Sequence, residues 1–393
     1  MYSSILSTFL VSGLALAAPT ARDDTDAALT QFYELLAEAS ANQAAFLASN
    51  GSSNCTSENT VVRKAWGSMP EADRKAYTDA VTCLQSLPAQ TPSDLVPGAK
   101  SRYDDFVAAH MNQTLTIHYT GNFLSWHRWF VYSYEQALKD ECGYNGTQPY
   151  WNWGLYASDP ASSPIFDGGD YSMGGNGEYI PGRGDLVLTL DENNTVYLPA
   201  GMGGGCVQSG PFKDMVVNLG PVALPLNNGS TATSANNGYD WNPRCLVRDV
   251  TTEANLGYAN STSMLNLLTN PDNIKDFQEL MQGPIGSGDL GVHGGGHYTI
   301  GGNPADDVYI SPGDPIFFLH HGMIDLMWWL WQYLDIENRQ YVISGTRTFQ
   351  NSPASDNATL DDIVELGYAG GYPITIRELT NTAEGPLCYT YEA

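Results

Sequence analysis

Residues 313–334 read GDPIFFLHHGMIDLMWWLWQYL, an apolar run that opens with Asp314 and Pro315 and carries two adjacent histidines, His320 and His321. Asp314 suits a helix cap and Pro315 the first helical position, because the first four N–H groups of a helix have no partner inside it and proline lacks one anyway. The stretch therefore predicts a helix. Upstream, NPDNIKDFQELM (270–281) offers the same pairing, with Asn270 as cap and Pro271 in the first position. The first third of the chain is also helical in pattern. TDAALTQFYELLAEASANQAAFL (25–47) has apolar residues at helical spacing, SMPEADRKAYTDAVTCLQSL (68–87) starts with Ser68 and an early Pro70, and SRYDDFVAAHM (101–111) offers Ser101 as cap with Asp104 three on. A further helix is expected from Trp126, or just before it, to about Lys139.

From about Tyr156 to Arg244 the composition shifts to Gly, Pro, Asn and Ser, interrupted by LVLTL (186–190) and TVYL (195–198) joined through DENN. This predicts a loop-rich insertion with one small hairpin. The last 50 residues, with YVISGTRTF and CYTYEA, read as short strands and turns. The first 18 residues hold an apolar run from Ile5 to Ala18 that ends in Ala15, Leu16 and Ala17, as at a signal-peptidase site. The run falls short of the roughly 20 residues that span a bilayer. Residues 1–18 are therefore expected to be a cleaved signal and residues 19–393 a single catalytic domain, secreted to the extracellular space.

Eight Asn-x-Ser/Thr sequons (Asn50, Asn54, Asn112, Asn145, Asn193, Asn228, Asn260 and Asn357) agree with export. So do six cysteines, an even set without a C-x-x-C pair, which predicts three disulfides. Cys206 with Cys245 is the preferred pair, since both flank the insertion. With 17 Lys and Arg against 43 Asp and Glu, the formal charge of −26 repels nucleic acid and anionic lipid. Only 15% of residues are charged, while 23 Tyr, 12 Phe and 9 Trp supply a large aromatic core.

The seven histidines fall into two groups: His110, His118 and His127, then His293, His297, His320 and His321. His293 and His297, four apart, can turn both rings to one ion if HGGGH is helical. Its glycines make a poor helix but leave space above a metal. His118 and His127, nine apart, would lie on opposite faces of one helix, so His118 is expected from a loop or from the end of another segment. His127 then begins the helix WHRWFVYSYEQAL with Phe130, Val131 and Tyr134 on its own face, a ligand held by aromatic packing. Three imidazoles per ion, with no Cys and an open position, fit catalytic zinc or copper.

HYTGNFLSWHRWF, VHGGGHYTI and DPIFFLHHGMIDLMWW together resemble the two copper motifs of the type 3 copper proteins: tyrosinases, catechol oxidases and haemocyanins, above all the short secreted fungal polyphenol oxidases. The resemblance implies a mainly α domain whose central four-helix bundle holds two copper ions, with long loops and a few short strands. It implies one copper on His110, His118 and His127 and the other on His293, His297 and one of the adjacent pair. The family's offset from the Asp of DP selects His321, with Phe317 and Asp325 on the same helix face, and leaves His320 to packing. Gly294, Tyr298, Val308 and Phe317 are the candidate substrate-binding residues. The reaction implied is oxidation of o-diphenols to o-quinones by O2.

Three departures refine this expectation. Thr116 stands where many fungal relatives have a cysteine cross-linked to the second histidine. Gly294 follows His293 where strong monophenol hydroxylases often carry Asn, and residues 283–292 contain no Glu. Monophenol hydroxylation is therefore expected to be limited, because a monophenol must first lose its proton to a base. Only 72 residues follow His321, too few for a separate shielding domain. The rival readings are a full tyrosinase, an o-aminophenol oxidase, a haemocyanin-like O2 carrier, and a dizinc hydrolase using Asp289 or Asp325 as base.

Overall fold

The computed structural model describes residues 21–50 and 55–392. The expected signal at 1–18 and the sequon at Asn54 lie outside the described residues. The fold is mainly α. Helices α1 (Ala21–Asn50), α2 (Glu71–Ser86), α3 (Arg102–Ile117) and α4 (Phe123–Cys142) come first, and the loop-rich insertion follows. Then come α5 (Thr252–Tyr258), α6 (Ser261–Thr269), α7 (Ile274–Gln282), α8 (Gly291–Ile300), α9 (Ile316–Tyr333) and the short α10 (Ile336–Arg339). No described helix is long and apolar enough to cross a membrane.

Caps explain most boundaries. Ser101 and Asp104 form a capping box at α3, each side chain satisfying the other's backbone N–H. The Asp314 carboxylate accepts the N–H of Ile316, so the expected cap is made, although α9 begins one residue after Pro315. The cap expected at Asn270 is not. Pro271 has no N–H and cannot extend a helix, so Asn270 and Pro271 end α6, and α7 is capped instead by Asn273, whose side chain accepts from the Asp276 N–H. α4 starts three residues earlier than expected, at Phe123, which puts His127 in its second turn instead of its first. α5 and α6 had no counterpart in the sequence reading.

All 18 residues of α9 are buried, as befits a helix apolar on every side at the centre of a domain. α4 and α8 pack on it, α3 packs on α4, and α1 runs along α6 and α9. This set of α3, α4, α8 and α9 is the central bundle. α8 forms despite its glycines because neighbours come too close for side chains: a Cβ at Gly295 would lie 2.6 Å from Cβ of Tyr258 on α5, and one at Gly296 would collide with the His320 ring. Of the three only Gly294 faces a cavity, and a Cβ there would still lie 3.1 Å from Cβ of Leu290, so the space expected above a metal is found at one glycine and not at three.

Among the described residues the strands form six two-stranded sheets. Leu186–Thr189 and Thr195–Leu198 make the expected antiparallel hairpin. Val61–Arg63, between α1 and α2, pairs in parallel with Tyr389–Tyr391 near the end of the described residues. YVISGTRTF contributes turns and one isolated bridge, Thr346 to Asn357, in place of a strand. All six cysteines are paired, as Cys55–Cys388, Cys83–Cys142 and the expected Cys206–Cys245.

Candidate dimetal site

The bundle brings all seven histidines together, each buried. His110 comes from mid-α3, His118 from the extended residue that closes α3, and His127 from α4. Tyr119 follows His118 in the left-handed region, φ 49°, an uncommon conformation for a non-glycine residue. Gln282 holds it there: the Tyr119 N–H donates to the Gln282 side chain at 2.7 Å and its hydroxyl to the Gln282 carbonyl at 2.6 Å. That bend turns the chain from α3 into α4 and sets His118 beside the other two. His293 and His297 come from α8, His320 and His321 from α9. Ligand atoms within each group lie within 4.8 Å of one another, and the groups meet where the rings of His127 and His321 stack at 4.5 Å.

Burial drives every one of these imidazoles toward its neutral form, His118 down to about 4 and His320 to about 3 from an ordinary value near 6.5. Neutral rings keep a lone pair for a metal. In the first group the other nitrogen is tied down: Nδ1 of His110, His118 and His127 donates to the carbonyls of Tyr309, Thr114 and Phe123 at 2.8–2.9 Å. A carbonyl can only accept, so the hydrogen sits on Nδ1 and Nε2 is free. Nε2 of His110, His127 and His293, and Nδ1 of His321, are buried without hydrogen-bond partners. Buried polar atoms are rarely left unpaired, and four in one cluster mark a place built for ions. His320 differs: Trp153 Nε1 donates to its Nδ1 at 3.0 Å, and its Nε2 donates to the His293 carbonyl at 3.0 Å.

A cavity of about 350 Å3 opens onto His118, His293 and His297. Gly294, Tyr298 and Val308 line it. Phe317 does not: it is buried, and its ring stacks against that of His321 at 4.1 Å. Asp289 lines the wall with one carboxylate oxygen accepting the Gly291 N–H. Asp325 does not reach the cavity. It pairs with Arg128 at 2.6 Å and Arg63 at 3.3 Å, and it accepts the hydroxyls of Tyr389 and Tyr391.

The match of residues 100–334 to the common central domain of tyrosinase decides the family. The chain belongs to the tyrosinase family. It is 40% identical over 331 residues to tyrosinase P of Aspergillus terreus, covering 84% of this chain and 91% of the relative. It is 39% identical over 351 residues to the N-acetyl-6-hydroxytryptophan oxidase of Emericella nidulans, covering 86% and 94%. Among solved structures, a variant polyphenol oxidase from Thermothelomyces thermophila superposes with a TM-score of 0.85 at 44% identity, covering 93% of this chain and 98% of that one. This tyrosinase-family protein is an oxidase with a binuclear copper centre, and its reactants are O2 and phenols. The site fits the metal: neutral imidazoles suit copper, and no cysteine stands in either group.

Several contributors to this tyrosinase-family site escaped the sequence reading. Arg128 follows His127, and Arg63 and Glu135 complete an ion-pair network under the histidines, with Arg63 to Glu135 at 2.6 Å. Asp306 lines the cavity, buried, with Oδ1 unpartnered, and burial pushes its carboxyl well above the usual carboxylate range. Phe349 and Gln350 reach the cavity from the C-terminal turns.

Proposed function

We propose that the chain is a secreted catechol oxidase that turns o-diphenols into o-quinones with limited monophenol hydroxylation. His110, His118 and His127 hold one copper, and His293, His297 and His321 hold the other. The open wall at Gly294, above a floor of His118, His293 and His297, is the observation that carries this reading. His321 is preferred to His320 because both nitrogens of His320 are engaged by Trp153 and His293, whereas Nε2 of His321 lies 3.3 Å from Nε2 of His297, a separation suited to two ligands of one ion.

Copper supplies the electron transfer between phenol and O2; two catechols and one O2 give two quinones and two waters. The chain keeps the imidazoles neutral and oriented, shapes the cavity, and leaves room for a flat ring beside Gly294. A strong general base is lacking. Asp289 has one oxygen committed to the Gly291 N–H, and burial favours the protonated form of Asp306, one of whose oxygens already accepts the Gly302 N–H. A catechol tolerates that deficiency better than a monophenol. The relative named for N-acetyl-6-hydroxytryptophan warns that family membership alone does not select diphenols. The hydrolase alternative loses its second base, since Asp325 is consumed by two arginines. Three disulfides support passage through an oxidising compartment, hence the removal of residues 1–18 and a single secreted domain over 19–393.

The test is initial O2 uptake by the copper-loaded protein on 4-methylcatechol and on 4-methylphenol, for the wild type and Gly294→Asn. A large ratio favouring the catechol, narrowed in the variant, is expected. Equal rates in the wild type would assign it to full tyrosinase activity.

A further inference from the structure

The hairpin of the insertion, which the catechol-oxidase reading leaves without a role, forms part of the mouth of the cavity. Thr189, Leu190 and Asp191 line one side, and the loop from Gly283 to Leu290 lines the other. The two are tied together: the Asn194 side-chain amide donates to both Asp191 carboxylate oxygens and to the Gly286 carbonyl at 3.1 Å. The N–H groups of Asn193 and Asn194 also donate to Asp191, and the Asn194 side-chain amide, followed by these N–H groups, holds its carboxyl below the usual carboxylate range. Across the mouth Asp289 is exposed and fixed through Gly291. Further in stands Asp306 with its unpartnered Oδ1. Among the described residues no Lys or Arg lines this cavity. Its apolar rim, Leu190, Ile285 and Val308, is exposed.

A catechol that presents both oxygens to the histidine floor points its ring substituent at this mouth. The copper charge acts on the oxygens of every catechol alike, so it does not discriminate between substituents, whereas Asp191 and Asp289 act on the substituent itself. We infer that the mouth selects catechols whose substituent ends in a protonated amine over those whose substituent ends in a carboxylate, with Asp191 and Asp289 as the specificity-determining residues. This rests on the catechol-oxidase reading and adds its substrate class.

The experiment compares kcat/KM for dopamine, 4-methylcatechol and 3-(3,4-dihydroxyphenyl)propionate. It is paired with calorimetric Kd values of the copper-loaded protein for phenethylamine and 3-phenylpropionate, which cannot be oxidised to quinones. The amine should be preferred to the acid by about tenfold at low salt, falling to about twofold near 0.5 M salt as screening shortens the reach of both carboxylates. In Asp191→Asn/Asp289→Asn, whose amide oxygens can still accept the loop N–H groups, the preference should fall to near unity on both readouts. Oxidation of 4-methylcatechol with no amine preference, or a preference indifferent to salt and to the double variant, overturns this inference and leaves the catechol oxidase standing. Tighter phenethylamine binding that vanishes in the double variant, without oxidation of 4-methylcatechol, upholds the mouth's selectivity and sinks the catechol oxidase.

Discussion

His110, His118 and His127 each hang from a backbone carbonyl, so their ring orientations follow from the main chain of α3, α4 and the loop at Tyr309. His293, His297 and His321 make no such bond among the described residues. Their rings are set by side chains: Phe317 against His321, and His320 wedged between α9 and the glycines of α8, its ring 4.6 Å from that of His297. One set is braced by backbone, the other by packing, and the cavity opens chiefly on the second. The difference teaches where each half can vary: the first set keeps a backbone brace when a neighbouring side chain changes, while the second, with no such brace, answers to changes of volume near Gly296.

The largest effects come from the ligands themselves. His127→Ala and His297→Ala should each remove one copper of the pair and all oxidase activity, and His321→Gln should join them while His320→Gln keeps both metals. Copper analysis with O2 uptake checks this, and metal retention by His321→Gln together with loss in His320→Gln would reverse the assignment. Next is the network beneath, which serves both halves because Arg128 adjoins His127 and Asp325 lies one helical turn past His321. Asp325→Asn leaves buried arginines underpaired and should cost about 3–5 kcal/mol of stability, read from urea unfolding, with both coppers weakened together. Weakening of one copper alone would separate the halves.

Smaller, and confined to the second set, is Gly296→Ala, whose methyl group collides with the His320 ring. It should cost about 1–3 kcal/mol and lower the affinity of the second copper while the first keeps its own. Equal loss from both sets would contradict the contrast drawn between them. The smallest effect is on pH. His118 is held near 4 in the folded chain, against about 6.5 when unfolded, so the unfolded state binds the extra proton first. The copper-stripped protein should be fully stable above about 6.5 and lose stability as the pH falls from there toward 4, with a lower urea midpoint at pH 5 than at pH 7. A midpoint unchanged between them would show that His118 is not held neutral.

Much of this was legible because it is local. Ser101 with Asp104, and Asp314 with Pro315, announce α3 and α9 within a few residues, and the histidines are few enough that their grouping stands out. α7 was misread by three residues because Asn270 and Pro271 mimic a start where Pro271 in fact ends α6. α5 and α6 are short, seven and nine residues, and they pack against α8 and α1. The ion-pair network was illegible for a plainer reason: Arg63 and Arg128 lie 262 and 197 residues from Asp325, and no spacing rule joins them. The cavity mouth, assembled from the hairpin, the loop before α8 and the C-terminal turns, is hidden in the same way.

The parallel pairing of Val61–Arg63 with Tyr389–Tyr391, sealed by Cys55–Cys388 across 333 residues, orders events in time. A ribosome delivers all seven histidines well before Tyr389 and Tyr391, whose hydroxyls complete the shell around Asp325. Until the strand Tyr389–Tyr391 docks, that carboxylate lacks two of its donors, so the floor under the histidines stays incomplete while the bundle that carries them can already be present. Cys55–Cys388 then acts as the latch that keeps this strand beside Val61–Arg63.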